Sequence, residues 1–208
     1  MLVLVIGLVV FLAIHLVPTN TDLRNGLVTR FGETGYKAIF AIVSLIGLAL
    51  IIAGYAKLQL HPGKNPQLWY PPLWTRHVAL ALMLPAMIAL VAAYVPSRIH
   101  TVLKHPMLVA IKIWALAHLL ANGDLGSLIL FGSFLAFAVY DRISVKRRHA
   151  LGPVGTKTGP WINDVIVLVV GTGLYVVFLF WAHQFLIGVS PLSSSPVAIQ
   201  PSVNRLSP

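Results

Sequence analysis

The sequence predicts an all-α integral membrane protein, a bundle of about six transmembrane helices, on three observations. The chain of 208 residues is 58% hydrophobic and 10% charged, with a mean hydropathy of +0.86, whereas a soluble domain carries about 25% charged residues. Several apolar runs approach the roughly 20 residues that a spanning helix needs, and no strand-like alternation accompanies them, which favours helices over a barrel. Fifteen Lys and Arg stand against five Asp and Glu for a formal charge of +10, and the basic residues lie mostly in loops between the apolar runs. Membrane topology explains that pattern better than nucleic acid does. With no cysteine, disulfides, thiolate metal sites and thiol catalysis are excluded, so any metal must use His or carboxylate.

Met1 to Val17 is apolar from the first residue and lacks the basic n-region and small-residue cleavage pattern of a signal peptide, so it reads as a retained first span. A loop over Pro18 to Gly35 carries Asp22, Arg24, Arg30 and Glu33, and Tyr36 to Ala56 forms the second span. The proline-rich loop that follows holds Trp69-Tyr70-Pro71-Pro72, whose aromatics suit an interface and whose prolines preclude a regular helix. Leu73 to Val95 is the third span. A short loop, Pro96 to His105, precedes the fourth helix, which Pro106 can open because its missing N–H costs nothing there. That helix runs to about Ala121, which is short for a bilayer core of about 30 Å. Asn122-Gly123-Asp124 is a turn signal, with Asp124 placed to cap the fifth helix, Leu125 to Tyr140. Helices four and five therefore form a short hairpin whose tip is expected below the membrane surface, covered by protein. After the basic loop Asp141 to Pro160, Trp161 to Gly188 is the sixth span. Residues 1–188 form the membrane domain and 189–208 a Pro- and Ser-rich tail of disordered composition.

The loops on one side, with Lys37, hold ten basic residues (Arg24, Arg30, Lys37, Arg98, Lys104, Arg142, Lys146, Arg147, Arg148 and Lys157), and the other side holds four (Lys57, Lys64, Arg76 and Arg205). Both termini are thus predicted outside. The one basic residue left within a span is Lys112. A titratable side chain in hydrocarbon costs a few kcal/mol and usually faces a bundle interior or polar cavity, which singles out Lys112 and His118. Depth sorts the histidines. His15, His100 and His105 fall toward the cytoplasmic side, while His77, His118 and His183 fall toward the outer side and could meet.

Imidazoles from facing helices can hold a heme iron from both faces, and no C-x-x-C-H attachment motif, His-x-x-x-His pair or Glu-x-x-His pair is present. A b-type heme is the most economical cofactor. The plainer readings stand beside it. His118 can be a core histidine bonded to a backbone carbonyl or to Asn122, and His77 with Arg76 can mark a helix entrance. His15 and His183 suit interfaces, and Trp114 and Trp181 suit packing. Lys112 can snorkel toward the inner face or pair with a heme propionate or a carboxylate.

The string HPMLVAIKIWALAHLLANGDLGSLILFGSFLAFAVYDR, from His105 to Arg142, together with the first-helix histidine and LWTRH at the third span, closely resembles the NnrU family of bacterial membrane proteins. The resemblance extends from the N-terminus to about Leu192. The family is named for its association with nitrite and nitric oxide reduction genes in denitrifying bacteria, and it is related to the 15-cis-zeta-carotene isomerase of plants and cyanobacteria, a membrane enzyme with heme b. The resemblance implies a bacterial inner-membrane protein that binds heme b, with axial ligands falling on His15 and His118 and a further matching histidine at His77. Where the isomerase has a cysteine three residues before the second ligand, this chain has Ala115, so thiolate ligation is unavailable. His105, Asn122, Asp124, Asp141 and Arg142 match the family pattern and are expected to hold the hairpin and its cytoplasmic end.

Depth and family differ on the second ligand. In a six-span bundle His15 lies about 20 Å along its helix from the outer face and His118 about 20 Å from the inner face, so His77 with His118 is the easier pair. The second ligand therefore stays between His15 and His77. The family chemistry implies redox-gated cis/trans isomerisation of an apolar polyene entering from lipid. The alternatives are a non-catalytic accessory or sensor protein supporting denitrification, and a structural membrane protein without cofactor. No nucleic acid partner is expected. Gly171-Thr-Gly173 offers a close helix contact that fixes no oligomeric state.

Overall fold

The structure, a computed structural model, describes residues 1–152 and 154–192. The expected disordered tail lies, from residue 193 on, outside the described residues. Within them the fold is all-α, with one isolated β-bridge, Gln67 to Asp124. Helix α1 is Leu2–Leu16, α2 Thr21–Gln59, α3 Leu73–Ala92, α4 Arg98–Leu103, α5 Pro106–Ala121, α6 Leu125–Arg147, α7 Trp161–Val177 and α8 His183–Ile187. Among the described residues, five segments are long and apolar enough to cross a membrane: Leu2–Thr19, Thr21–Gln59, Leu73–Ala92, Leu125–Arg147 and Trp161–Ile187. At 16 residues, α5 is about 24 Å long, shorter than a bilayer core.

The segment expected as a loop over Pro18 to Gly35 is helical from Thr21. Asn20 Oδ1 accepts from the Leu23 N–H at 3.0 Å and Asp22 sits in the first turn, a favourable N-terminus. The helix breaks at Gly32 (φ 72°, ψ 163°), a backbone shape open only to glycine. Helix α6 likewise runs past Tyr140 to Arg147. Arg148 there reaches back to the Ser144 hydroxyl at 3.0 Å and the Asp141 carboxylate at 3.4 Å, which ties the two last turns together.

Helices α1 and α2 approach closely because glycines face the partner backbone. A Cβ on Gly47 would sit 2.8 Å from the Phe11 nitrogen, and one on Gly54 2.5 Å from the Leu4 nitrogen. Helix α3 lies between α5 and α7, where Gly171 meets the Ile88 backbone while Gly173 faces open space. The α5–α6 hairpin joins these groups, α6 against α1 and α5 against α3. Leu4, Leu8, Ile51, Tyr55, Leu58, Ala115, Leu130, Phe131 and Phe134 form the shared core.

The hairpin tip is covered by the proline-rich loop. The Leu68 N–H donates to the Gly123 carbonyl at 2.8 Å and the Leu125 N–H to Pro66 at 2.9 Å. A Cβ on Gly123 would run into the Trp69 carbonyl, so only glycine allows this approach. Beneath the loop, Asp124 caps α6 through the Ser127 N–H at 2.8 Å and accepts from Asn65 Nδ2 at 2.6 Å and from the Ser127 hydroxyl at 2.6 Å. Since a carboxylate only accepts, the Tyr55 hydroxyl must donate to Ser127, at 2.7 Å.

Candidate functional site

His118 occupies the last turn of α5. Its Nδ1–H donates to the Trp114 carbonyl four residues back at 2.9 Å, and a carbonyl can only accept, so the bare lone pair of the neutral ring is on Nε2. This is the orientation that metal-binding histidines take, with the second nitrogen fixed by a backbone carbonyl. Asn122 donates to the His118 main-chain carbonyl at 2.8 Å and leaves the ring alone. The half-buried imidazole stacks on Phe131 with ring centres 4.4 Å apart.

Near it stands His183, at the start of α8. The two ring centres are 6.2 Å apart and the planes differ by 17°. Gly188 ends α8 in the left-handed conformation (φ 83°), and the turned chain returns the Val189 carbonyl to accept the His183 Nδ1–H at 2.6 Å. Nε2 is therefore bare on both rings. Two imidazoles on one metal, each nitrogen about 2 Å from it, have ring centres about 6 Å apart. The separation of the His118 and His183 ring centres is of that size.

His15 does not join this pair. It lies near the opposite end of α1, its Nδ1–H on the Phe11 carbonyl at 2.7 Å and its ring among Phe11, Phe40 and Phe137. Between it and His118 runs a continuous column of rings. Phe11 to Phe134 is 5.5 Å, Phe134 to Trp114 5.3 Å and Trp114 to His118 5.4 Å between centres. One iron cannot bridge that filled space. His77 is exposed on α3 and makes no hydrogen bond or ring contact among the described residues, while neighbouring Arg76 donates twice to the Pro191 carbonyl, at 2.9 and 2.6 Å. Lys112 is half-buried on α5, without an ion pair or hydrogen bond among the described residues.

The remaining candidates divide between the two bundle ends. Asn122 and Asp124 hold the hairpin tip as described. At the other end His105, His100 and Asp141 line a cavity of about 160 Å³ with Ala93 and Leu108. Asp141 pairs there with Arg148 at 3.4 Å, while Arg142 acts on His105 through its charge. Burial first, and then the Arg142 charge, hold the His105 pKa below its ordinary value of 6.5. Among the described residues no group of three or more His, Asp or Glu could hold a metal ion, so a metal at His118 must bring further ligands of its own, as a porphyrin does.

Sequence reasoning grouped His183 with His118 and His77 as histidines that could meet, and the structure brings the first two together but not His77; it missed Asn65, Tyr55 and Ser127. The signal for Asn65 and Ser127 was available only as a polar residue near a cap. No curated protein and no solved structure matches the chain. The model of one family, described as NnrU protein, matches residues 3–191, nearly the whole length and every helix described above. The chain belongs to the NnrU family.

Proposed function

We propose that this chain is a membrane-embedded b-type heme protein in which His118 is an axial ligand, and that it performs redox-gated cis/trans isomerisation of an apolar polyene. The observation that carries the reading is the His118 ring, half-buried in an aromatic wall with Nδ1 fixed on Trp114, Nε2 without a hydrogen bond among the described residues, and a second imidazole, His183, with its ring centre 6.2 Å away. His118 would hold the heme, which would supply redox-sensitive iron chemistry for isomerising the polyene without net oxidation.

The residues around it hold and screen. Trp114 fixes the His118 tautomer, Phe131 sets the ring plane, and Asn122 fastens the last turn of the ligand's own helix. Ala115, fully buried in the core, offers no alternative ligand. Lys112 on the same helix supplies a positive charge suited to a propionate. On the lipid-facing side of the same span as His183, Val177, Phe180, Trp181 and Phe185, with Gln184, line an open and largely apolar hollow of about 510 Å³ on which a hydrocarbon can rest. The basic residues Lys37, Arg98, Lys104, Arg142, Lys146, Arg147, Arg148 and Lys157 at the Asp141 end support an inner-membrane topology with that end cytoplasmic and both termini outside.

The test is the visible spectrum of detergent-purified protein from heme-supplied cells, oxidised and dithionite-reduced, with and without His118→Ala. A Soret band with sharp reduced α and β bands that is lost in the variant is expected. Absence of a Soret band in the wild type refutes the heme reading. Incubation of the reduced protein with cis-carotenes, followed by chromatography, then separates isomerase from non-catalytic accessory: unchanged isomer ratios refute catalysis.

A further inference from the structure

We propose that the second axial ligand is His183, so that the iron is held between α5 and α8. The inference rests on the heme reading above and deepens it. Of the histidines near enough in the fold to be compared, His183 is the one whose ring centre stands 6.2 Å from that of His118 with its Nδ1–H already committed to a backbone carbonyl. His15 is walled off by Phe11, Phe134 and Trp114, and His77 faces outward from α3.

The backbone supplies an independent observation. Phe178 to Ala182, immediately before His183, form a π-helical turn inside an otherwise α-helical span. Such turns hold about one residue more than an α-turn and concentrate at functional sites. Val167 marks the inward face of α7, fully buried, and in an uninterrupted α-helix Phe185, about five turns on, would share that face. Phe185 is instead 89% exposed. The same arithmetic puts His183 about 160° from Val167 in a straight helix and about 60° from it once the π-turn absorbs its extra residue. The distortion thus swings His183 inward toward His118 and turns Trp181 and Phe185 to lipid. Such a turn forfeits regular i→i+4 bonding, and the placement of one imidazole is what it achieves here.

The experiment uses the full-length protein in detergent, comparing wild type, His183→Ala, His15→Ala and His77→Ala by visible and low-temperature EPR spectroscopy. The wild type is expected to be low-spin, and its near-parallel imidazole planes give a rhombic EPR signal rather than the large-gmax signal of perpendicular planes. His183→Ala should retain heme on His118 but become high-spin, and added imidazole should restore the low-spin spectrum, which a misfolded variant would not permit. His15→Ala and His77→Ala should leave the spectrum unchanged. A low-spin spectrum surviving in His183→Ala, or conversion to high spin by either other variant, overturns this assignment while leaving the heme reading intact. A wild type without any Soret band overturns both.

Discussion

Replacing Asp124 by alanine tests whether the hairpin tip is held as strongly as its geometry implies. The carboxylate accepts three bonds, from Asn65 Nδ2, the Ser127 N–H and the Ser127 hydroxyl, at 2.6, 2.8 and 2.6 Å, in a site where Asp124 is only 8% exposed. Loss of the N-cap alone costs about 1 kcal/mol. Leaving buried donors on Asn65 and Ser127 without a partner adds about 1–3 kcal/mol for each, so a total of about 3–7 kcal/mol is expected, at least a hundredfold in the folding equilibrium. The assay is reversible SDS unfolding in mixed bicelles, followed by far-ultraviolet circular dichroism. Asp124→Asn keeps a capping oxygen and should cost about 1–2 kcal/mol. A loss below about 1 kcal/mol for Asp124→Ala, or equal losses for the two variants, would refute the view that this carboxylate organises the tip.

Three further outcomes follow from the packing and the charges. Gly54→Leu places a side chain against the Leu4 backbone and should destabilise by at least about 2 kcal/mol, whereas Gly173→Ala, facing open space, should leave the same unfolding midpoint unchanged. Phe134→Ala empties the ring column between Phe11 and Trp114 and should cost about 3–5 kcal/mol in bicelle unfolding. His105 has a depressed pKa in the folded protein, so the unfolded chain binds its proton first as pH falls. Stability should be flat above the ordinary value of 6.5 and decline below it, toward the folded pKa. Thermal melts between pH 8 and pH 5 on wild type and His105→Asn check this, the variant losing less stability than the wild type over the acid half.

What the sequence made legible was governed by local rules. Apolar run length marks the spans, Pro106 opens α5, and Asn122-Gly123-Asp124 ends it with a cap for α6. Each of these depends on residues within a few positions of one another. The Asn65 to Asp124 bond spans 59 positions, and nothing local to a proline-rich loop says which buried carboxylate it will meet. The helical start at Thr21 was hidden because charged residues before a glycine read equally well as loop or as an exposed helix. For the site, the depth of His118 was readable and so was the group of outer histidines that could meet it, His77 and His183, but not which of them does. An α-periodic reading of Trp161 to Gly188 turns His183 away from the core, and a single π-turn reverses that assignment without any composition signal.

That turn offers the most discriminating perturbation, since it predicts opposite effects for two changes of equal size. Five π residues cover about the rotation of four α residues. Deleting Phe180, which is exposed, should therefore regularise the span and keep His183 inward. Inserting one alanine beside it should carry His183 about 100° round, away from His118, and bring Phe185 toward the protein. The chain has no cysteine, so Phe185→Cys gives a unique site for a spin label, read by oxygen accessibility in liposomes. High accessibility is expected in the parent and in the deletion, and a fall in the insertion. Equal accessibility in all three would mean that α8 sets its own rotation by packing against α2, and the π-turn would then be a consequence of His183 facing inward rather than its cause.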